Sequence, residues 1–157
     1  MNKPNATQTL FTRTTSVAKV IERLIRSAKT SVDAALYRLS HPRLALALHD
    51  ASSRGVRIRL ILDLGKYEIT QATRELLTEL SIPYRLMSGR RGRWAKMHHK
   101  FAILDDRVAL AGSYNWTVES EEENYENLMV LRERHQVEDF IEEFEALWAA
   151  AAKRGRP

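Results

Sequence analysis

The stretch KMHHKFAILDDRVALAGSYNWT, residues 96–117, combines two strand patterns with a group of chemically active side chains. Apolar residues dominate the segments 97–104 and 107–111, and two aspartates separate them. This pattern predicts two neighbouring strands joined by a short turn. A pair of adjacent histidines stands at the start of the first strand, which raises the question of which histidine does chemistry.

The alternation of side chains along a strand separates the two histidines. In the segment 97–104, His98 and Lys100 face one side, whereas His99 shares the other side with Phe101. An imidazole and an ammonium that converge suit a phosphate, because the ammonium offsets charge on the oxygens and a neutral imidazole attacks phosphorus. We therefore predict that His98 does the chemistry and that His99 is packed or hydrogen-bonded.

The Gly-Ser-Tyr-Asn turn, residues 112–115, supplies small polar groups after the second strand. Ser113 offers a hydroxyl, Asn115 offers an amide, and Gly112 frees backbone N–H groups. Donors of this kind hold phosphate oxygens. A Gly-Ser turn between strands is by itself usually only a turn, so its meaning depends on the nearby histidine and lysine.

The remaining chain alternates between helix and strand patterns. Helices are predicted over 16–28, 41–55, 68–80 and about 135–152, and further strands over 31–39, 56–64, 81–87 and 126–133. Strands separated by helices favour right-handed crossovers and parallel pairing. The prediction is an α/β fold with a mixed, largely parallel central sheet and helices on both faces.

Composition limits the class of protein. The 157 residues favour a single domain, and 44% apolar and 29% charged residues are typical of a soluble globular chain. We expect flexible ends at residues 1–14 and 153–157. The absence of cysteine excludes disulfides and thiolate metal sites. Because no secretory signal or transmembrane stretch is visible, we expect a cytoplasmic protein without stable membrane association.

The charge of the chain favours an anionic partner. A net charge of +5 and a pI of about 9.7 are a moderate bias towards an anionic partner, of which nucleic acid is the commonest, although many domains are mildly basic for solubility alone. Part of this charge lies in the basic loop, residues 88–96, which directly precedes the histidine pair and suits a phosphate backbone and a stacked base. Its cations and its aromatic ring are Arg90, Arg91, Arg93, Lys96 and Trp94. The acidic run 119–123 argues mildly the other way, because its four glutamates would repel phosphates if they faced the site.

The spacing HxK-x4-D-x6-GS, which begins at His98, resembles the HKD signature of the phospholipase D superfamily. The matching residues are His98, Lys100, Asp105, Gly112, Ser113, Asn115, Glu126 and Asn127. The preceding strands and helices, with RGVRIRLILD at 54–63, are similar to those of the family's single-motif bacterial endonucleases and of its mitochondrial, Zucchini-type members. The resemblance implies a phospholipase D-like fold, in which Asp105 would support the site rather than take part in the reaction.

The resemblance also implies a role for each of the other matching side chains. His98 would attack phosphorus and form a covalent phosphohistidine, and Lys100 would bind the phosphate. Ser113 and Asn115 would help to hold the phosphate. Glu126 would accept a hydrogen bond from the second ring nitrogen of His98 and so orient the ring. No metal and no cofactor is implied.

A homodimer is a further implication of the resemblance. When one histidine attacks phosphorus, a second group must protonate the leaving oxygen, and family members with two motifs use one histidine from each. This chain carries one motif. Two copies of His98 would therefore meet in one site across a two-fold axis, and the second copy would act as the general acid and then as the general base.

Three substrate classes stay open at this point. The superfamily acts on phospholipids, on cardiolipin and on nucleic acid. The small size of the chain and its basic loop favour a metal-independent endonuclease that cleaves DNA or RNA without strong sequence specificity. The alternatives are a phospholipid or cardiolipin hydrolase and a catalytically silent nucleic-acid-binding module.

Overall fold

The computed structural model describes residues 7–154, and their side chains as far as residue 151. This part of the chain forms one seven-stranded sheet with helices on both faces, so the α/β class predicted from the sequence is confirmed. The strands are β1 (Gln8–Phe11), β2 (Ser31–Leu36), β3 (Arg57–Asp63), β4 (Tyr84–Met87), β5 (Lys100–Leu104), β6 (Val108–Gly112) and β7 (Asn127–Leu131). The helices are α1 (Val17–Ser27), α2 (Pro42–Ser53), α3 (Leu64–Ile69), α4 (Gln71–Glu79), α5 (Val118–Glu122) and α6 (Arg134–Arg154).

The sheet has the strand order β1-β7-β6-β5-β2-β3-β4. Strands β2, β3 and β4 pair in parallel, because helices cross over between them. The pairs from β2 through β5, β6 and β7 to β1 are antiparallel. The sheet is therefore mixed, as predicted, but within the described residues its parallel part is smaller than a largely parallel sheet would have.

Two apolar layers enclose the sheet. Helices α1, α2 and α4 cover one face, and Ile21, Leu48 and Leu77 are among their buried side chains. Helix α6 covers the other face with residues that include Val137 and Phe144. Burial of each such side chain stabilises the fold by about 1.5–3 kcal/mol. Across residues 7–154, α6 included, we find no helix that is both long enough and apolar enough for a membrane span.

Several element boundaries differ from the sequence prediction, and three of the differences bear on the site or on the chain ends. Residues 8–11 form the edge strand β1 and not part of a flexible end. Backbone hydrogen bonds to β7 hold this strand while most of its side chains are exposed, so no amphipathic pattern marks it in the sequence. The helix predicted over 68–80 is interrupted, because Thr70 adopts an extended conformation between α3 and α4. Strand β5 begins at Lys100, three residues later than predicted.

The two chain ends that we expected to be flexible are partly ordered. After β1, the N–H groups of Thr14 and Thr15 donate to the Phe11 carbonyl oxygen and close a turn. At the other end, residues 153 and 154 still belong to α6. Residues 1–6 and 155–157 lie outside the described residues.

A tight turn joins β5 to β6 at the end of β5 that lies farthest from His98. Asp105 and Asp106 both have a φ of +54°, and the Arg107 N–H donates to the Leu104 carbonyl oxygen at 3.0 Å. This geometry is that of a type I′ turn, and aspartate tolerates the left-handed region better than most residues. The five residues of β5 therefore separate the aspartates from the histidine pair.

Candidate active site

The candidate active site lies at the end of the sheet where β5 begins. Strand β5 runs antiparallel to both of its neighbours, so its first residue lies beside the last residues of β2 and β6. Strand β7 begins at the same end, on the far side of β6. The sheet thereby gathers His98 and Lys100, the turn that follows β6 with Ser113, and Glu126 just before β7.

The side chains of His98 and Lys100 converge, as the alternation predicted. The Lys100 Nζ atom lies 3.4 Å from Nδ1 of His98 and donates to the His98 carbonyl oxygen at 3.0 Å. The alternation extends beyond the end of β5 because the Tyr37 N–H donates to the His99 carbonyl oxygen at 2.7 Å. This bond continues the pairing with the chain after β2 and holds the histidine pair in an extended conformation.

His99 points to the opposite side of the sheet, towards α6. Its Nε2 atom lies 3.1 Å from the Glu143 carboxylate, and its ring meets the ring of Phe101 edge-on at 5.3 Å between centres. The packed and hydrogen-bonded role predicted for His99 agrees with these contacts.

The surroundings of His98 favour its neutral form. Partial burial lowers the pKa of His98, and the charges of Lys100 and Lys96 lower it further, while Asp63 acts in the opposite sense. Burial also lowers the pKa of Lys100, against the influence of the Glu126 carboxylate. A neutral imidazole keeps the lone pair that attack on phosphorus requires.

Glu126 accepts hydrogen bonds from three polar side chains, and the role towards His98 that the resemblance implied for it stays a prediction. The Ser113 hydroxyl donates to Oε2 of Glu126, and the Ser120 hydroxyl donates to Oε1 at 3.1 Å. The Asn124 amide also donates to Oε1, at 3.3 Å. These bonds hold the carboxylate beside the turn that follows β6.

The turn after β6 depends on a close approach at Gly112. A Cβ atom at this position would lie 2.3 Å from the Asn127 carbonyl oxygen, so only glycine fits. Ser113 Oγ accepts the Asn127 N–H at 3.0 Å and fastens the turn to β7. The Oδ1 atom of Asn115 is buried and has no hydrogen-bond partner among the described residues. An unpaired buried oxygen costs stability, which keeps Asn115 a candidate for ligand binding.

Asp105 lies at the opposite end of β5 from His98 and is a structural residue. Its carboxylate accepts the N–H groups of Lys29, Thr30 and Ser31 and the Thr30 hydroxyl, at 2.7–3.1 Å. Burial acts to raise the pKa of Asp105, but these hydrogen bonds outweigh burial and lower it. These contacts give Asp105 a supporting role and not a catalytic one. Its carboxylate links the α1–β2 loop to the β5–β6 turn.

Two residues that the sequence analysis missed stand beside His98. The ring of Tyr37, only 8% exposed, lies 4.4 Å from the His98 ring between centres. The Nζ atoms of Lys66 and Lys100 lie 5.5 and 5.2 Å from the centre of the same tyrosine ring. Their positions carry a signal, since Tyr37 follows β2 and Lys66 follows β3, and the carboxyl ends of parallel strands meet at one edge of a sheet.

A third missed residue, Asp63, fixes the backbone before His98. Its Oδ1 atom accepts the Lys66 N–H at 2.8 Å and caps α3, while Oδ2 accepts the Met97 N–H at 2.9 Å. Asp63 is 3% exposed. One buried carboxylate thus links the start of α3 to the segment that carries the histidine.

Comparison with known proteins identifies the family to which the chain belongs. A family profile described as "Cardiolipin synthase, PLD-like domain" matches residues 21–148, which is most of the chain. The chain belongs to the phospholipase D superfamily. The resemblance drawn from the HKD-like spacing is confirmed, and with it the assignment to a superfamily of phosphodiesterases.

Curated relatives cover most of this phospholipase D-superfamily chain. The mitochondrial cardiolipin hydrolase of Mus musculus is 34% identical over 131 residues, which are 82% of this chain and 58% of that protein. The protein of the same name from Homo sapiens is 35% identical over 131 residues, 82% of this chain and 50% of that protein. The chain therefore spans between half and three-fifths of the length of these relatives.

Solved structures agree with the fold. The phospholipase D family member Nuc from Salmonella typhimurium superposes with a TM-score of 0.81 at 26% identity, covering 92% of this chain and 94% of that one. NucT from Helicobacter pylori gives a TM-score of 0.80 at 23% identity, covering 92% and 97%. The phospholipase D-like fold that the sequence resemblance implied is confirmed.

In this phospholipase D-like chain, the two ends of the basic loop pair with each other just before His98. The Gly89 N–H donates to the Ala95 carbonyl oxygen at 2.7 Å, and Ser88 pairs with Lys96 in a β-bridge. A Cβ atom on Gly89 would lie 2.6 Å from the Lys96 carbonyl oxygen, so the close approach requires glycine. The loop therefore presents its side chains from a defined backbone.

The cations of the basic loop are not equivalent. Arg93 pairs with Glu68 at 2.9 Å, whereas Arg90, Arg91 and Lys96 form no ion pair with any carboxylate of residues 7–151. Trp94 is 89% exposed. Three positive charges and one aromatic ring thus remain available to a ligand.

The acidic run 119–123 is partly neutralised by the fold. Glu119 pairs with Arg38 at 3.0 Å. Glu121 accepts the Ala18 N–H and the Tyr114 hydroxyl, each at 2.9 Å, and this carboxylate lies at the start of α1. Burial and the charge of Glu121 raise the pKa of Tyr114. These two glutamates stabilise the fold, which weakens the objection that the run repels phosphates.

Proposed function

We propose that this chain is a metal-independent endonuclease that cleaves DNA or RNA through a covalent phosphohistidine at His98. The observation that carries the proposal is the pairing of an imidazole, whose surroundings lower its pKa, with an ammonium 3.4 Å away. In the first step a ring nitrogen of His98 bonds to phosphorus while the bond from phosphorus to the leaving oxygen breaks. Lys100 offsets the charge that gathers on the non-bridging oxygens.

The leaving oxygen needs a proton, and we infer that a second copy of the chain supplies it. The neighbouring imidazole of His99 is turned towards Glu143 and away from Lys100. In a two-fold dimer, the partner's imidazole protonates the leaving oxygen and then removes a proton from water. The water oxygen bonds to phosphorus as the phosphorus–nitrogen bond breaks, which restores both imidazoles.

The choice of nucleic acid as the substrate rests on the charges around the site. Arg90 and Lys96 line the same groove as His98, and neither they nor Arg91 form an ion pair with a described residue, while Trp94 is exposed. Such a surface follows a polyanionic backbone and stacks a base. Lys66 adds a further cation near the Tyr37 ring.

A cardiolipin or phospholipid hydrolase is the second candidate. The names of the mitochondrial relatives favour it, and a phospholipid offers the same reacting phosphodiester. Because these relatives are named mitochondrial, the cytoplasmic location expected from the N-terminal sequence stays a prediction.

One assay separates these functions. Wild type, His98→Ala and the matched control His99→Ala are incubated in EDTA with labelled single-stranded DNA, duplex DNA, RNA and cardiolipin vesicles. We expect nucleic acid to be cleaved by wild type and His99→Ala and not by His98→Ala. Turnover of cardiolipin alone would establish the lipid hydrolase. Binding of nucleic acid without any turnover would establish the silent binding module.

A further inference from the structure

The buried carboxylate of Asp63 accepts one backbone N–H group on each of its oxygens. Oδ1 accepts the Lys66 N–H at 2.8 Å, and Oδ2 accepts the Met97 N–H at 2.9 Å. An ionised carboxylate accepts on both oxygens, whereas the amide of an asparagine has one acceptor oxygen and an NH2 group that only donates. The two contacts together therefore require an acidic residue at this position.

The contact with Met97 restrains the backbone on the N-terminal side of His98. Strand β5 begins only after the histidine pair, so the acceptor for the Met97 N–H comes from Asp63 at the end of β3. On the C-terminal side, the Tyr37 N–H, just after β2, donates to the His99 carbonyl oxygen at 2.7 Å. The backbone of His98 is thus held on both sides by hydrogen bonds to the carboxyl ends of two parallel strands.

The contact with Lys66 places a second functional group of the site. Lys66 lies in the first turn of α3, and its Nζ atom is 5.5 Å from the centre of the Tyr37 ring. The same ring lies 4.4 Å from the His98 ring between centres. Asp63 therefore links the segment that carries the imidazole to the helix that carries one of the ammonium groups of the site.

The charge of Asp63 also acts on the imidazole of His98. Burial lowers the pKa of His98, and three neighbouring groups lower it further: Lys100 of β5, Lys96 of the basic loop and the imidazole of His99. On the α3 side, the ammonium of Lys66 lies near the Tyr37 ring. The carboxylate of Asp63 opposes these influences and raises the pKa of His98. A more basic nitrogen is the stronger nucleophile, so this charge favours the attack on phosphorus.

We propose that Asp63 is a positioning residue for the phosphodiester cleavage at His98. Its carboxylate holds the Met97 backbone and the first turn of α3 so that the imidazole meets phosphorus while Lys66 faces the same substrate. Misplacement of a reacting group by about 1 Å costs about a hundredfold in rate, so such a restraint has a large effect on kcat. This inference rests on the proposed attack by His98, and it applies equally to a nucleic acid and to a phospholipid.

A purely structural role for Asp63 has different consequences. Asp63 is the N-cap residue of α3, and the loss of a cap lowers the stability of a protein. Such a role changes the amount of folded protein, but it leaves kcat per folded molecule and the pH dependence of the reaction as they are. Both of these quantities therefore have to be measured.

Asp63→Asn is the principal variant, because asparagine has nearly the same shape, carries no charge and cannot accept both N–H groups. Its matched control is Asp105→Asn, which changes another carboxylate that accepts backbone N–H groups, at the far end of β5. Both variants and wild type are assayed in EDTA with methyl p-nitrophenyl phosphate, a small phosphodiester, and the rates are divided by the folded fraction from urea unfolding. We expect Asp63→Asn to lower kcat about tenfold to a hundredfold with KM little changed, and Asp105→Asn to keep kcat.

The pH profile supplies a readout that distinguishes the two roles. Removal of the Asp63 charge lowers the pKa of His98, so the acid limb of kcat/KM should move to lower pH in Asp63→Asn. A site that is merely loosened would bury His98 less and would move the limb to higher pH. The limb of Asp105→Asn should coincide with that of wild type.

A second variant removes one hydrogen bond alone. Incorporation of the α-hydroxy acid analogue of methionine at position 97 replaces the Met97 N–H by an ester oxygen and leaves the charge of Asp63 and its cap of α3 in place. We expect kcat to fall about tenfold while the acid limb stays at its wild-type pH. If Asp63→Asn does not fold, the ester variant decides the inference by itself.

The outcomes separate this inference from the function on which it rests. Wild-type kcat per folded molecule in Asp63→Asn or in the ester variant would overturn the positioning role and leave the proposed function intact. An acid limb that stays in place or moves to higher pH in Asp63→Asn would reduce Asp63 to a structural cap and overturn the inference as well. No turnover of the small diester by wild type would overturn the proposed function and this inference together.

Discussion

The ring of Tyr37 lies 4.4 Å from the ring of His98, and this tyrosine is almost fully buried while the histidine is exposed. A buried ring that follows β2 thus forms one wall for the imidazole that precedes β5. Two ammonium groups, from Lys66 and Lys100, lie within 5.5 Å of the centre of the same ring. The Tyr37 ring therefore contacts the proposed nucleophile and lies close to two ammonium groups.

Replacement of Tyr37 tests this positioning role. We expect Tyr37→Ala to lower kcat about tenfold to a hundredfold, because the imidazole loses its wall, while Tyr37→Phe keeps the ring and stays near wild type. Loss of the ring also removes part of the burial that lowers the pKa of His98, so the acid limb of the pH profile should move to higher pH in Tyr37→Ala. A loss of folded protein without a shift of that limb would assign Tyr37 a merely structural role.

The pH dependence of the reaction follows from the charge state of His98. Its pKa is lowered from 6.5 by burial and by Lys100 and Lys96, so the attacking neutral form persists below that pH. On the acid side, attack by His98 is therefore lost as the pH falls through the lowered pKa. We expect the acid limb of kcat/KM for the small substrate methyl p-nitrophenyl phosphate to have its midpoint below pH 6.5. Lys96→Gln should move the midpoint upwards, and a midpoint above 6.5 in wild type would contradict the account.

Lys66 should act on substrate binding. Its ammonium near the Tyr37 ring is suited to a phosphate of the bound strand. We expect Lys66→Ala to raise KM for a DNA strand and to reduce the slope of log affinity against log salt concentration by about 0.7, as loss of one phosphate contact does for a single strand. Lys29→Ala, at the opposite end of the sheet, is the control and should leave the slope unchanged. Equal slopes for Lys66→Ala and wild type would place Lys66 outside the binding surface.

Asp105 should affect stability and not chemistry. We expect Asp105→Asn to lower the free energy of unfolding by about 1–3 kcal/mol, because hydrogen bonds to a charged acceptor are weakened, while kcat per folded molecule is retained. The pKa of Asp105 is lower in the folded chain, so its contribution is present above the pKa of the unfolded chain and is lost as the pH falls through the folded pKa. The difference between wild type and variant should therefore shrink in acid.

Urea unfolding at neutral and at acidic pH measures this difference. Asp106→Asn, at the next position of the same turn, is the matched control. Asp106 has the same φ as Asp105, and the hydrogen bonds from the α1–β2 loop go to Asp105. A large loss of kcat in folded Asp105→Asn would instead make Asp105 a catalytic candidate.

The sequence was sufficient for the parts of the site that depend on short-range geometry. The alternation of His98, His99 and Lys100 follows from the two-residue period of an extended chain, and it holds even though β5 begins at Lys100. Gly112 was recognised as a turn residue for the same local reason. The spacing from His98 to Ser113 spans one hairpin, so a resemblance over that stretch identifies the family.

The sequence was not sufficient to predict contacts that depend on the order of the strands in the sheet. Glu126 accepts a hydrogen bond from Ser113 because β7 pairs with β6, and no spacing along the chain reveals that pairing. Asp105 belongs to the motif in the sequence, but the length of β5 separates it from His98 in the structure. Tyr37 and Lys66 reach the site through two parallel strands, and β1 is held by backbone bonds that leave no side-chain pattern.

The most direct test of the account is detection of the covalent intermediate at His98. Wild type, His98→Ala and His99→Ala are mixed with methyl p-nitrophenyl phosphate in EDTA, quenched with base within the first turnovers and analysed by mass spectrometry of peptides. We predict a methylphosphoryl group on His98 in wild type and in His99→Ala, and none in His98→Ala. Turnover without an adduct on His98, or an adduct on another residue, would contradict the central claim.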